Sequence, residues 1–310
     1  MRSKDKNTPL LVVVTGPTAT GKTSFAAHLA YELNGEIISA DSRQVYRGMD
    51  LATGKDFSDY NVEGTNIPYH LVDIVDPGYE YNVFEFKRDF ENVYSDIISR
   101  GRTPVLCGGT GLYIEAVAKD YELIDVPENK PLREELGKKS DNELIRLLKS
   151  YKTPHNITDT RDRNRLIRAI EIQHYSQKNT GIDMPVIKKK TGFEPVIFGV
   201  LFERKKIRER ITQRLRQRLE MGMIKEVEDL LNQGLSPDQL KFYGLEYRYL
   251  TQYVVGELDF EEMFRLLNTA IHQFAKRQMT WFRRMERKGI NIHWIDGRLS
   301  NTEKVRLAIE

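Results

Sequence analysis

The 310-residue sequence holds one cysteine, Cys107. A single thiol excludes an intramolecular disulfide and any cysteine-based zinc site, and it fits a reducing, cytoplasmic setting. The histidines (His28, His70, His155, His174, His272 and His293) show no metal-ligand spacing and read as structural or surface residues. Long apolar runs are missing as well, so no segment reads as a membrane span. The start, MRSKDKNTPLLVVVTG, pairs basic residues with an apolar run. That run, Leu10–Val14, is too short for a signal peptide and leads into a glycine-rich loop instead of a cleavage site. There is no internal repeat, no low-complexity segment, no nucleophile elbow and no cysteine–histidine pairing.

What is present suffices for a core. Hydrophobic residues make up 40% and charged residues 30%, which excludes a disordered or collagen-like chain and suits one large domain or two smaller ones. Lys and Arg number 48 against 45 Asp and Glu, a net charge of +3. The balance is uneven along the chain. Residues 1–155 carry 19 basic and 24 acidic side chains, and residues 156–310 carry 29 and 21, net charges of −5 and +8. Such asymmetry hints at an anionic macromolecular partner, although composition alone slightly favours simply solvated basic helices.

The pattern along the chain predicts an α/β fold. Leu10–Thr15 is continuous and β-branched, as a buried parallel strand is. A helix follows from about Lys22 to Leu33, closed by Gly35, and Glu36–Ala40 reads as a second strand. Segment 51–70 reads as loop. Val83–Arg100 is an amphipathic helix ending at Gly101, and Pro104–Cys107 a short buried strand before another helix. From about Tyr121 to residue 190 the texture turns polar, charged and helical, with no good strand. Val196–Phe202 returns to strand composition, helices follow near 205–221, 223–233 and 259–286, and Asn291–Ile295 is a last strand. Strands alternating with helices argue for a parallel sheet, here interrupted by a helical insertion.

Three loops carry chemistry. Gly16-Pro-Thr18-Ala19-Thr20-Gly21-Lys22-Thr23 matches G-x-x-x-x-G-K-[ST], between a buried strand and a helix. Its glycines let backbone amides curl round phosphate oxygens, Lys22 adds a point charge and the Thr23 hydroxyl can ligate Mg²⁺. The motif says that a di- or triphosphate binds, not which reaction follows. Asp41-Ser42-Arg43-Gln44-Val45-Tyr46 follows the second strand, on the same sheet edge. Asp41 can serve there as metal ligand, general base or merely helix cap. Gly108-Gly109-Thr110-Gly111 follows the third strand, either as a close approach to a ligand or as a tight turn.

Arg204–Arg218 reads RKKIRERITQRLRQR, with Ile207, Ile211, Leu215 and Leu219 along one face and Arg210, Arg214 and Arg218 along a stripe. The stripe is either a solvated face, or one arginine reaches the phosphate site while others meet a nucleic-acid backbone. Arg161, Arg163, Arg165 and Arg168 form a second cluster. Ala275–Arg284 forms a third, whose Trp281 and Phe282 suit either RNA stacking or core burial.

Taken in order, GPTATGKT, DSRQVYRGMD, PYHLVDIVDP, GGTGLYIEAV, NRLIRAIEI, RERITQRL and AKRQMTWFRR resemble the bacterial tRNA dimethylallyltransferase family across nearly the whole chain. The resemblance implies a P-loop kinase-like parallel sheet flanked by helices, with a core of residues 1–121 and 193–310 and a helical tRNA-binding insertion at 122–192. It implies transfer of a dimethylallyl group from dimethylallyl diphosphate to N6 of adenosine 37 in the anticodon stem-loop of tRNA, by a cytoplasmic monomer with Mg²⁺ as cofactor and no membrane partner. The site it implies has Asp41 and Thr110 as catalytic residues. Gly16, Thr18, Ala19, Thr20, Gly21, Lys22, Thr23 and Arg210 would hold the diphosphate, with Thr23 on the metal. Asp41, Ser42, Arg43, Gln44 and Thr110 would touch the tRNA, together with Asn164, Arg165, Leu166, Ile167 and Arg168. The chain departs from the usual pattern at LATGKDF, Leu51–Phe57, where the family commonly has IGTAKP. An adenylate isopentenyltransferase needs no such basic surface. A kinase leaves the DSRQVY and GGTGLY pair unexplained, and a non-catalytic RNA-binding protein leaves the phosphate loop without use.

Overall fold

A computed structural model of the chain describes residues 9–151, 163–178 and 192–310. They divide into two compact units, 1–121 with 190–310, and 122–189. In the first unit, β1 (Leu10–Thr15) leads to α1 (Lys22–Glu32) and β2 (Gly35–Ser39). A single 3₁₀ turn, Phe57–Tyr60, precedes three two-residue strands, β3 (Asn61–Val62), β4 (Thr65–Asn66) and β5 (Tyr69–His70). Then come α2 (Val83–Ser99), β6 (Thr103–Gly108) and α3 (Gly111–Ala118). The second unit supplies α4 (Lys130–Gly137), α5 (Asp141–Tyr151) and α6 (Arg163–Lys178). The chain returns through β7 (Glu194–Leu201) to α7 (Arg204–Glu220), α8 (Met223–Asn232), α9 (Pro237–Phe242), α10 (Leu245–Val254) and α11 (Phe260–Arg287), and ends in β8 (Ile292–Asp296) and α12 (Asn301–Ile309).

Six strands form a parallel sheet in the order β5-β2-β6-β1-β7-β8. β1 sits centrally, with Val14 opposite Cys107 on one side and Phe198 on the other. Its side chains alternate between the faces, as strand geometry requires. Leu11 and Val13 join a layer with Phe86, Phe90 and Ile114 of α2 and α3 and with Phe282 and Met285 of α11. Val12 and Val14 join Phe25 and Leu29 of α1 and Val305 and Ala308 of α12. A third cluster packs Ile211, Leu215, Val227, Leu250, Met263 and Leu267, from helices α7, α8, α10 and α11, against Val45, Tyr46 and Met49. In the second unit Leu136, Leu144, Leu148, Leu166 and Ile170 pack α4, α5 and α6 together.

The structure differs from the pattern reading in particular places. Gly35 opens β2 and does not close α1. The chain turns at Asn34, with φ 47°, and a Cβ on Gly35 would lie 2.5 Å from the Thr103 carbonyl oxygen of the neighbouring strand. Segment 51–70 is not all loop, because Tyr69–His70 pairs with Ile37–Ile38 at the sheet edge. Two-residue strands are too short to show periodicity. Helices α9, α10 and α12 also escape the pattern. Arg161 of the second arginine cluster and His155 lie outside the described residues.

Candidate active site

The phosphate loop leaves the carboxyl end of β1, beside that of β6. The Thr15 hydroxyl donates to the Gly108 carbonyl at 3.1 Å. At Gly16 a Cβ would sit 2.6 Å from the Val200 carbonyl oxygen, so only glycine lets the loop start this close to β7. The Thr20 hydroxyl donates to the Pro17 carbonyl at 2.9 Å and braces the curl. Ala19 and Gly21 have left-handed φ of 62° and 76°. Gly21 caps α1, whose first amides have no helical acceptor and face the loop.

The Asp41 and Thr110 loops are stitched together. The Thr110 amide donates to the Ala40 carbonyl at 3.2 Å, and the Ser42 amide donates to the Thr110 hydroxyl oxygen at 3.0 Å. Asp41 Oδ1 accepts the Arg43 amide at 2.9 Å. The glycines of the second loop answer to protein neighbours. A Cβ on Gly108 would stand 2.2 Å from the Ala40 carbonyl oxygen, and one on Gly111 would stand 2.4 Å from the Trp281 indole.

Lys22 is the electrostatic centre. Desolvation draws its pKa below the ordinary lysine value, Arg214 adds to the lowering, and the Asp41 and Asp56 carboxylates oppose it. The buried Cys107 thiol lies beneath the loop and donates to the Lys22 carbonyl oxygen at 3.7 Å. Burial pushes its pKa up to about 12, so it stays neutral and adds no negative charge under the phosphate site.

Gln278 of α11 joins the two glycine-rich loops. Its Oε1 accepts the Thr18 amide at 2.9 Å, and its Nε2 donates to the Gly109 carbonyl at 3.0 Å. A donor on one side and an acceptor on the other fix the orientation of the amide. The motif reading placed this residue only in a basic–aromatic cluster. Phe282 of that cluster is core, and Trp281 is half-buried, packed on Gly111 with Arg284 over its ring. Burial therefore accounts for Phe282.

The arginine stripe of α7 turns inward. Arg210 Nε donates to the Ala19 carbonyl at 2.8 Å, and its guanidinium lies over Phe202, 4.7 Å from the ring centroid. Arg214 and Arg218 both bind Asp56, with contacts of 2.7 Å and 2.8 Å. Of the expected RNA contacts, Gln44 bonds to Ser39 and to the Gly54 carbonyl, and Arg43 lies over Phe242. In the second unit Asn164 and Arg165 are exposed on α6. Arg168 donates to the Val126 carbonyl at 2.8 Å and pairs with the buried Glu171. Leu166 is 0% exposed, so its side chain is core and not part of an RNA-facing surface, while Ile167 packs at the edge of that core.

The family model described as IPP transferase matches residues 44–285. The chain belongs to this family. Similar relatives include tRNA dimethylallyltransferase 2 of Bacteroides fragilis, 57% identical over 296 residues and 95% of each chain. Another is tRNA dimethylallyltransferase 1 of Geotalea uraniireducens, 53% identical over 288 residues, 93% of this chain and 92% of that one. Among solved structures, the tRNA isopentenylpyrophosphate transferase of Bacillus halodurans superposes with a TM-score of 0.69 at 34% identity, over 96% of this chain and 94% of its own. A eukaryotic dimethylallyltransferase solved acting on tRNA shares the fold, with a TM-score of 0.73 at 23% identity over 93% of this chain and 74% of its own. The IPP transferase fold is thus this chain's fold, a parallel α/β sheet flanked by helices. No helix among the described residues is long and apolar enough to cross a membrane.

Proposed function

We propose that this chain transfers a dimethylallyl group from dimethylallyl diphosphate to N6 of adenosine 37 in tRNA, with diphosphate leaving. Family membership and the names of its relatives support dimethylallyl transfer to tRNA. The observation that carries the chemistry is the convergence at one sheet edge of the phosphate loop, the Asp41 loop and the Thr110 loop, with Lys22 in electrostatic reach of Asp41. All three loops come from one chain, so the site needs no second subunit. One buried cysteine suits a reducing cytoplasm.

The adenine amine is a poor nucleophile, because its lone pair is delocalised into the ring. A base that removes its proton as the C–N bond forms contributes typically 10²–10⁴-fold. Asp41 suits that role: Oδ1 is held by the Arg43 amide, and Oδ2 remains for the proton. The leaving group gathers charge on its bridging oxygen. Thr110 accepts from the Ser42 amide and donates only a long bond, 3.4 Å, to the Ser42 hydroxyl oxygen, so it can redirect that proton toward the bridging oxygen. Lys22 and the loop amides hold the terminal phosphate. Arg210 braces the loop through Nε on the Ala19 carbonyl and keeps its terminal nitrogens for the diphosphate, with Arg214 as a second arginine for it.

No cluster of His, Cys, Asp or Glu among the described residues could hold a metal alone. The Thr23 hydroxyl offers a hard oxygen donor, and Mg²⁺ takes few protein ligands beside phosphate oxygens, so the loop fits Mg²⁺ bound together with the diphosphate. Bound there, the ion would neutralise leaving-group charge. The target base must leave its stack to reach Asp41, and the exposed Asn164 and Arg165 of α6 are the proposed contacts to the stem-loop.

The test uses labelled dimethylallyl diphosphate with either unmodified tRNA or AMP. Label in tRNA alone is expected, and Asp41→Ala should abolish transfer while tRNA binding persists. ATP turnover without prenyl transfer would overturn the reading, and near-normal transfer by Asp41→Ala would overturn the base assignment.

A further inference from the structure

One carboxylate holds two arginines beside the phosphate loop. Asp56 Oδ2 accepts Arg214 Nη2 at 2.7 Å, and Arg218 Nη2 spans Oδ1 at 2.8 Å and Oδ2 at 3.1 Å. Arg214 and Arg218 stand four residues apart on one helix face, where like charges repel. Arg218 is 9% exposed and has little water to compensate it. The chain is shaped to this pair. Gly54, with φ 82°, lies where a Cβ would come within 2.9 Å of both terminal nitrogens of Arg218 and 3.1 Å of Arg214 Nη2. The Gly54 carbonyl accepts from Gln44, which ties the clamp to the Asp41 loop. Burial works against the Asp56 carboxylate, but the Arg214 and Arg218 guanidiniums outweigh it and hold the pKa below the ordinary range. Asp56 is therefore ionised at neutral pH. Both Arg214 and Asp56 act on Lys22.

We infer that Asp56 is an internal counter-ion which occupies Arg214 while the phosphate site is empty and yields it to the diphosphate on binding. This rests on the reading of the phosphate loop as a diphosphate site. Carboxylate and phosphate compete for the same guanidinium geometry. The more highly charged diphosphate takes Arg214, whose side chain is partly exposed, and Arg218 keeps Asp56 through both oxygens. When the product leaves, Arg214 returns to a carboxylate already in place. Asp56 thus weakens diphosphate binding and eases release. It is a positioning residue and touches no reacting atom.

Titration calorimetry with inorganic diphosphate and Mg²⁺ tests this. Asp56→Asn keeps the shape and one acceptor but removes the competing charge, so diphosphate should bind about 2- to 5-fold tighter, with tRNA affinity unchanged. A lesion that merely loosened the fold would weaken binding. Asp56→Ser should act in the same direction and serves if the Asn variant fails to fold. In an Arg214→Ala background the gain from Asp56→Asn should vanish. Unchanged or weaker binding in both Asp56 variants would overturn the clamp, as would a gain that persists in full without Arg214. Absence of diphosphate binding by the wild type would overturn the reading of the loop, and the clamp with it.

Discussion

The Ser42 amide donates to the hydroxyl oxygen of Thr110 at 3.0 Å, across 68 residues of chain. This contact joins the loop of the proposed base to the loop of the proposed leaving-group donor. Thr110→Val preserves shape but removes the hydroxyl. It should lower single-turnover transfer by about 10²-fold or more and cost roughly 1–3 kcal/mol, because the Ser42 amide loses its partner. Thr110→Ser should recover most of the rate. A Val variant with normal single-turnover kinetics would remove Thr110 from the chemistry.

Gln278 should matter as much to order as to rate. Gln278→Ala frees the Thr18 amide and the Gly109 carbonyl together. Thermal unfolding should show a loss of about 2 kcal/mol or more, and KM for dimethylallyl diphosphate should rise because the phosphate loop loses its brace. Gln278→Glu can still accept from Thr18 but, ionised, cannot donate to Gly109, so it should rescue only in part. Equal stability of the Ala variant and wild type would refute the bridge.

Diphosphate affinity should fall with rising pH earlier than a free lysine would dictate. Burial above all depresses the Lys22 pKa, so the ammonium is complete at low pH and is lost as pH rises through that lowered value. Binding isotherms between pH 7 and 10, set beside Lys22→Arg, give the check. Arginine stays charged throughout, so its alkaline limb should be flatter. Parallel limbs would show that another group titrates.

Acid should loosen the sheet edge through Glu36. The Arg100 guanidinium above all, aided by His70 and Arg102, outweighs burial and holds its pKa down to about 2. This folded value lies below the unfolded one, so the stabilisation is present above the ordinary glutamate range and is lost as pH falls toward about 2. Glu36→Gln should cost on the order of 2 kcal/mol near neutrality, allowing for solvent around Arg100. It should also flatten the acid limb of a denaturation series. An unchanged limb would reassign the acid sensitivity.

Much of the sheet and both glycine-rich loops could be read in the sequence, because β1 and β7 are continuous apolar runs and the phosphate loop has fixed spacing. Gln278 could not, since its role comes from partners 260 and 169 residues away. The Asp56 clamp was hidden for the same reason, and Arg214 and Arg218 read equally well as solvated. Some misses did have local signals. Ser236-Pro-Asp-Gln239 and Ser300-Asn-Thr-Glu303 are capping boxes that open α9 and α12. Leu166 looked like part of a recognition motif, yet its i,i+4 partner Ile170 marks the core face of α6.

The central position of β1 also sets a timetable for biosynthesis. This strand is synthesised before both its neighbours, residues 103–108 and 194–201. At ordinary elongation rates, on the order of 10–40 s separate the synthesis of β1 from that of β7. Over that interval one flank of a strand with five consecutive apolar residues, Leu10–Val14, has no native neighbour. The nascent chain therefore has reason to engage chaperones early, and the phosphate loop lacks its link to the Gly109 loop until translation has passed Gln278.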